Sequence, residues 1–171
     1  MIQRLKNRLL QKYLNWRLGR ISSPNQIHDF SRELSRVKHI LLILPPDLTI
    51  EDVMTSFVKK LYDVFGDEIR ISTFEKRTFR QEDSTWLGLP KKEYLQIFQS
   101  EGIDLVIDLN QEEDAFCTYI CALLNAPVKV NLAAGRFDHI YNLHIRSPHA
   151  KQFDEMLETL IRYFKTLLGK T

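Results

Sequence analysis

Residues 103–132, IDLVIDLNQEEDAFCTYICALLNAPVKVNL, constrain the fold more than any other part of the chain. Residues 103–109 are a short and almost unbroken apolar run, which is what a parallel strand buried on both faces requires. Asn110 is a good N-cap residue, and Glu113 follows at capping-box spacing. Residues 115–124 then read as an apolar-rich helix. Asn125 and Pro127 end it, and 128–132 is a second strand. The stretch is one complete βαβ unit.

The same alternation runs through the rest of the chain. Residues 38–44 (KHILLIL) are a buried strand, stopped by Pro45 and Pro46, because proline cannot continue a central ladder. A helix from Thr49 to about Phe65 carries Val53, Phe57, Leu61 and Val64 as its core stripe, and Gly66 closes it. Residues 68–73 give a strand, 74–89 a long loop with partial structure around Phe79 and Trp86, and 90–100 a helix ended by Gly102. A last strand is expected over 140–145. A long helix from Ser147 follows, with Phe153, Leu157, Leu160, Ile161 and Phe164 on its buried side. This pattern predicts an α/β fold: a Rossmann-like three-layer sandwich around a mostly parallel five-stranded sheet. Right-handed crossovers favour the order 2-1-3-4-5.

An N-terminal helical arm precedes this unit. We divide the chain into a basic amphipathic arm, 1–22, and one α/β domain, 23–171. The net charge of +2 conceals an asymmetry. Six of the 24 basic residues (Arg4, Lys6, Arg8, Lys12, Arg17 and Arg20) fall in the first twenty positions, which hold no acid, so the remaining 18 face 22 acidic residues. The domain is therefore mildly acidic, and no nucleic-acid surface is expected on it. Ile2, Leu5, Leu9, Tyr13 and Trp16 share one face of the arm, with basic residues along its flank. Such a face needs a partner: the domain itself, a second subunit of a homo-oligomer, another protein, or a membrane interface. Leu10 and Leu14 widen the apolar face, which favours protein docking. Arg4, Lys6 and Arg8 interrupt any secretory h-region. Cys117 and Cys121 share one helix, where a mutual disulfide is geometrically poor. Both points predict a cytoplasmic protein, with peripheral contact at the inner membrane as the arm's alternative destination.

Two segments, HILLILPPDLTIEDVMTSFVKKLYDVFGDEIRISTF at 39–74 and the βαβ unit at 103–132, resemble the N-terminal half of the lipopolysaccharide heptosyltransferases. That glycosyltransferase family has two Rossmann-like domains. The resemblance implies the fold and places Asp52 where the family carries a proposed catalytic base. Glu51 stands where the family has glycine, and the family's donor-binding C-terminal domain finds no room in this length. The resemblance therefore implies no heptosyl transfer by this chain alone. A weaker resemblance is to small uncharacterised bacterial α/β proteins that carry a basic N-terminal helix.

Ligands of open α/β sheets bind beyond the carboxyl ends of the strands. There the sequence offers Asp47, Asp52 and Asp108 as candidate catalytic carboxylates, and Asn110, Asn131 and Arg146 as candidate ligand-binding residues. The plainer reading has Asp108 capping local backbone and Asp47 in a solvated turn. No glycine-rich phosphate loop follows the first strand, so no dinucleotide or P-loop cofactor is expected. His139 and His144 are an odd number of positions apart, which puts them on opposite faces of a strand, and no metal site is expected. Two functions remain. One is a non-catalytic or accessory protein related to a glycosyltransferase half, which binds a partner or a membrane surface through the arm. The other is a small sugar- or nucleotide-dependent enzyme using the strand-end carboxylates. An open, carboxylate-lined pocket would favour the enzyme, and a rim filled by side chains the accessory protein.

Overall fold

A computed structural model describes residues 2–22, 29–46, 54–146 and 152–170. Five strands form one sheet in the order β2-β1-β3-β4-β5: β1 (His39–Leu44), β2 (Arg70–Glu75), β3 (Leu105–Asp108), β4 (Val128–Asn131) and β5 (Leu143–His144). Every neighbouring pair is parallel. β1, β3 and β4 are buried along their whole length; β1 is apolar after His39, whereas β3 ends on the buried Asp108 and β4 buries Lys129 and Asn131 among its valines.

Alternate residues of the strands feed two separate cores. On one face, Ile40, Leu42, Leu105, Ile107, Val128 and Val130 pack under α2 (Phe30–Leu34), α3 (Lys59–Phe65) and α6 (Phe153–Leu167). On the other, Leu41, Ile43 and Val106 pack under α1 (Ile2–Leu18), α4 (Lys92–Ser100) and α5 (Ala115–Leu123). The three-layer α/β sandwich and its strand order are as the sequence predicts.

Several boundaries differ from the expectation, each for a local reason. The βαβ helix is not capped by Asn110 and Glu113. Its N-cap is Asp114, whose Oδ1 accepts from the N–H groups of Phe116 and Cys117 at 2.9 and 3.0 Å. The last strand shrinks to two residues, because residues 138–140 make a 3-10 turn. His139 therefore sits in that turn and not on a strand; its Nε2 lies 3.0 Å from the Leu18 carbonyl oxygen. β2 begins and ends two residues later than expected. The segment before α3 is a π-helical turn over Met54–Val58. Gly66 ends α3 at φ 96°, in the left-handed region that favours glycine. The C-terminal helix starts at Phe153. The expected start of the third helix near Thr49 and the Ser147 signal lie outside the described residues. The loop at 74–89 holds two 3-10 turns, and its Phe79 ring packs 5.1 Å from Tyr94 and 5.4 Å from Phe116.

α1 packs against the sheet layer mainly through the side away from Leu5, Leu9 and Trp16, and of the expected docking face Tyr13 turns inward. Leu14 and Leu18 are fully buried, and Leu10 and Tyr13 lie against the same core. Leu5, Leu9 and Trp16 remain 60%, 44% and 48% exposed. Leu10 and Leu14 thus do not widen an outward apolar face; they are consumed inward. The side chain of Ile2 is outside the described residues.

Candidate functional site

β1 lies between β2 and β3, so the chain leaves it in opposite directions on successive crossovers. This is the topological switch point, where open α/β sheets form a crevice. A cleft of about 370 Å³ opens there between Pro45 and Pro46 at the end of β1 and residues 110–114 after β3. Asn110, Glu112, Glu113 and Asp114 give its β3 side an acidic, polar lining. Asp47 and Asp52 follow Pro46 in the chain and lie outside the described residues.

Asp108 ends β3 but is buried beneath this rim, 4% exposed. Its Oδ1 accepts from the backbone N–H and the Nδ2 of Asn110 at 3.1 and 2.7 Å. Its Oδ2 accepts from the Tyr141 hydroxyl at 2.5 Å, and Thr118 Oγ1 stands 3.2 Å from that hydroxyl oxygen. Burial pushes the Asp108 carboxyl above the usual carboxylate range, although the Tyr141 and Asn110 donors pull it down. Burial likewise pushes the Tyr141 phenol well up.

The end of β4 is equally closed. Asn131 Nδ2 donates to the Ala133 carbonyl and to Asp138 Oδ1 at 3.0 and 3.1 Å. Its Oδ1 accepts from Arg146 Nη1 at 3.1 Å and lies 2.7 Å from His144 Nδ1, which must carry the proton to bond there. Both amide donors and both acceptor sites of Asn131 are therefore used. Arg146 also donates to the Asn131 carbonyl at 3.0 Å and to Asp138 Oδ2 at 3.2 Å. Burial lowers the His144 imidazole, so near neutral pH it bonds in the uncharged state. The space among Asp108, Thr118, Asn131, Asp138 and Tyr141 amounts to only about 10 Å³, room for one water at most.

The candidate residues thus divide. Asp108, Asn131 and Arg146 are knitted into internal networks at the ends of β3, β4 and β5, and Asn110 alone also borders the open cleft. Sequence reasoning missed Tyr141, Asp138 and Thr118, which complete those networks. They lie in turns or on a helix with no motif spacing to mark them. It also missed Lys76, whose ammonium pairs with Asp114 and joins the end of β2 to the N-cap of α5. Burial raises the Asp114 carboxyl, but Lys76 and the two cap N–H groups outweigh it and hold the group below its usual range. Among the described residues no cluster of three or more His, Cys, Asp or Glu could hold a metal ion. No described helix is long and apolar enough to cross a membrane.

Sheet order, crossovers and cleft together define a Rossmann-like α/β sandwich. The sequence matches the model of DUF6913, a family of unknown function, over residues 6–167, and the chain belongs to that family. No curated protein matches it. Among solved structures, a proposed sugar-binding protein from Salmonella typhimurium LT2 superposes with a TM-score of 0.54 at 9% identity, over 97% of this chain and 50% of that one. A glycosyl transferase family 9 protein from Veillonella parvula DSM 2008 superposes with a TM-score of 0.46 at 16% identity, over 81% of this chain and 43% of that one. This chain therefore spans about half the length of the structures it resembles.

Proposed function

We propose that this chain is a non-catalytic accessory module, related to one half of a glycosyltransferase, that docks on an anionic membrane surface through the outward side of α1. One observation carries the reading: α1 is apolar on two sides, and its own domain covers only one of them. At about 100° per residue, Leu5, Leu9 and Trp16 cluster within about 40° of one another, roughly half a turn away from Leu14. Lys12, Arg8 and Arg4 run beside them, and the Arg20 guanidinium lies 4.5 Å above the Trp16 ring. Among the described residues none of these four cations is ion-paired with a carboxylate. A narrow apolar stripe bordered by unopposed cations suits the headgroup boundary of an anionic bilayer, where each cation near the surface contributes about 1 kcal/mol. A protein partner would call for a wider face, and Leu10 and Leu14 no longer supply it.

The networks at the strand ends support the non-catalytic half of this reading, because Asp108 is spent on Asn110 and Tyr141, and Asn131 and Arg146 on each other. Flotation tests the docking half. The chain should rise with vesicles containing phosphatidylglycerol and stay down with phosphatidylcholine alone. Half-molar salt or Leu5→Ser with Trp16→Ser should weaken the binding severalfold. A chain that ignores anionic vesicles, or that sediments as an α1-dependent dimer instead, would overturn the membrane assignment.

The cleft at the switch point favours a second reading, a small sugar- or nucleotide-dependent enzyme with Asp47 or Asp52 acting at its rim. Saturable binding heat from a nucleotide sugar, removed by Asp52→Asn, would support it.

A further inference from the structure

A second cavity, of about 600 Å³, lies at the other end of the sheet, between the C-terminal end of α5, the turn into β4, and Ile21 and Ser22 after α1. Its size falls within the range of about 300–1,000 Å³ typical of small-molecule pockets. Ile21, Ala122, Leu123, Leu124, Pro127 and Ile140 make about half of the wall apolar, and Lys129 is the one cation among its described lining residues.

Lys129 is an unusual residue for its place. It is the second residue of β4, between two fully buried valines, and only 6% exposed. Its backbone is pinned to Asn142: the N–H donates to Asn142 Oδ1 at 2.8 Å and the carbonyl accepts from Asn142 N–H at 3.1 Å. Among the described residues nothing hydrogen-bonds or ion-pairs with its Nζ. Glu33, the acid that borders the cavity, makes no ion pair with it. Burial pulls the ammonium below its usual range. The Lys129 stem is buried while its ammonium opens onto the cavity, where it is only partly solvated and an anion could pair with it.

We propose that this cavity binds a small amphiphilic carboxylate, with the carboxylate on Lys129 Nζ and the apolar body against the wall formed by α5 and Ile140. A charge-assisted hydrogen bond would supply the partner the amine lacks. A single ammonium with no guanidinium beside it matches a monoanion better than a phosphate dianion. The apolar wall would remove the ligand's hydrocarbon from water, at about 25 cal/mol per Å² covered. The site lies away from the switch-point cleft and is independent of membrane docking.

Octanoate is the probe, with 1-octanol and inorganic phosphate as controls. Octanoate should raise the melting temperature saturably, and neither control should match it. Lys129→Met should abolish the shift. In the unmodified protein, the NMR titration midpoint of the Lys129 side chain should move up when octanoate binds, because an anion favours the ammonium form. This second readout decides the matter even if Lys129→Met fails to fold. An unmoved midpoint, an equal effect of 1-octanol or phosphate, or a shift that survives Lys129→Met would each overturn the proposal.

Discussion

Gly135 shows how much a single position can hold. A Cβ there would stand 2.9 Å from Glu113 Cβ, closer than real side chains approach, and Glu113 Oε2 accepts from the Phe137 N–H at 2.8 Å. Gly135→Ala should therefore evict Glu113 and cost about 1–3 kcal/mol in urea unfolding, mostly from the orphaned donor. In a Glu113→Ala background the same change should cost much less, because the two positions are coupled. Asp108 makes a prediction about pH. Its folded-state carboxyl titrates above the unfolded one, so the folded protein binds more protons between the two values. Stability from this group is present below about pH 4 and is lost as pH rises through the raised folded value. Relative to Asp108→Asn, the wild-type chain should thus lose unfolding free energy as pH rises above about 4; a constant difference would refute the assignment. Little of this was legible in the sequence. Asp108 was visible as a carboxylate ending a strand. Its partner Tyr141 comes from a turn 33 residues on, and only the packed sheet brings the two together.

At the scale of elements the sequence was far more explicit. Buried parallel strands announce themselves as apolar runs, so β1 and β3 followed from KHILLIL and IDLVIDL; β4, VKVN, followed from its place after the βαβ helix, and the order from right-handed crossovers. Edges and caps were harder to see. β5 is two residues long, and Asp114 outcompeted Asn110 as N-cap because the loop before α5 extends four residues further and Lys76 reinforces the later carboxylate. Periodicity alone does not say which side of α1 its own domain takes, because the helix is apolar on two sides; Leu10 and Leu14, expected to widen the outward face, turn inward instead. That choice is open to measurement. Leu14→Ala, in the core, should cost about 2–5 kcal/mol, and Leu9→Ala, 44% exposed, should stay within about 0.5 kcal/mol. Equal costs would mean that α1 packs differently.

For the whole molecule, α1 is bound to the layer containing α5 and presents an unshared stripe to the outside. The switch-point cleft opens at the carboxyl ends of β1 and β3. The Lys129 cavity lies toward the amino end of β4. These surfaces are separate, so membrane docking and ligand binding can be tested one at a time. The central claim is that Leu5, Leu9 and Trp16 enter an anionic interface, and Trp16 reports on it directly. The chain has two tryptophans, and Trp86, at 78% exposure, would obscure the signal. The decisive measurement is therefore tryptophan emission in a Trp86→Phe background, with and without phosphatidylglycerol vesicles. We predict a blue shift of several nanometres that half-molar salt diminishes, since the cations supply part of the attraction. Emission that stays unchanged at saturating vesicle concentration would show that α1 does not enter the interface and would contradict the account.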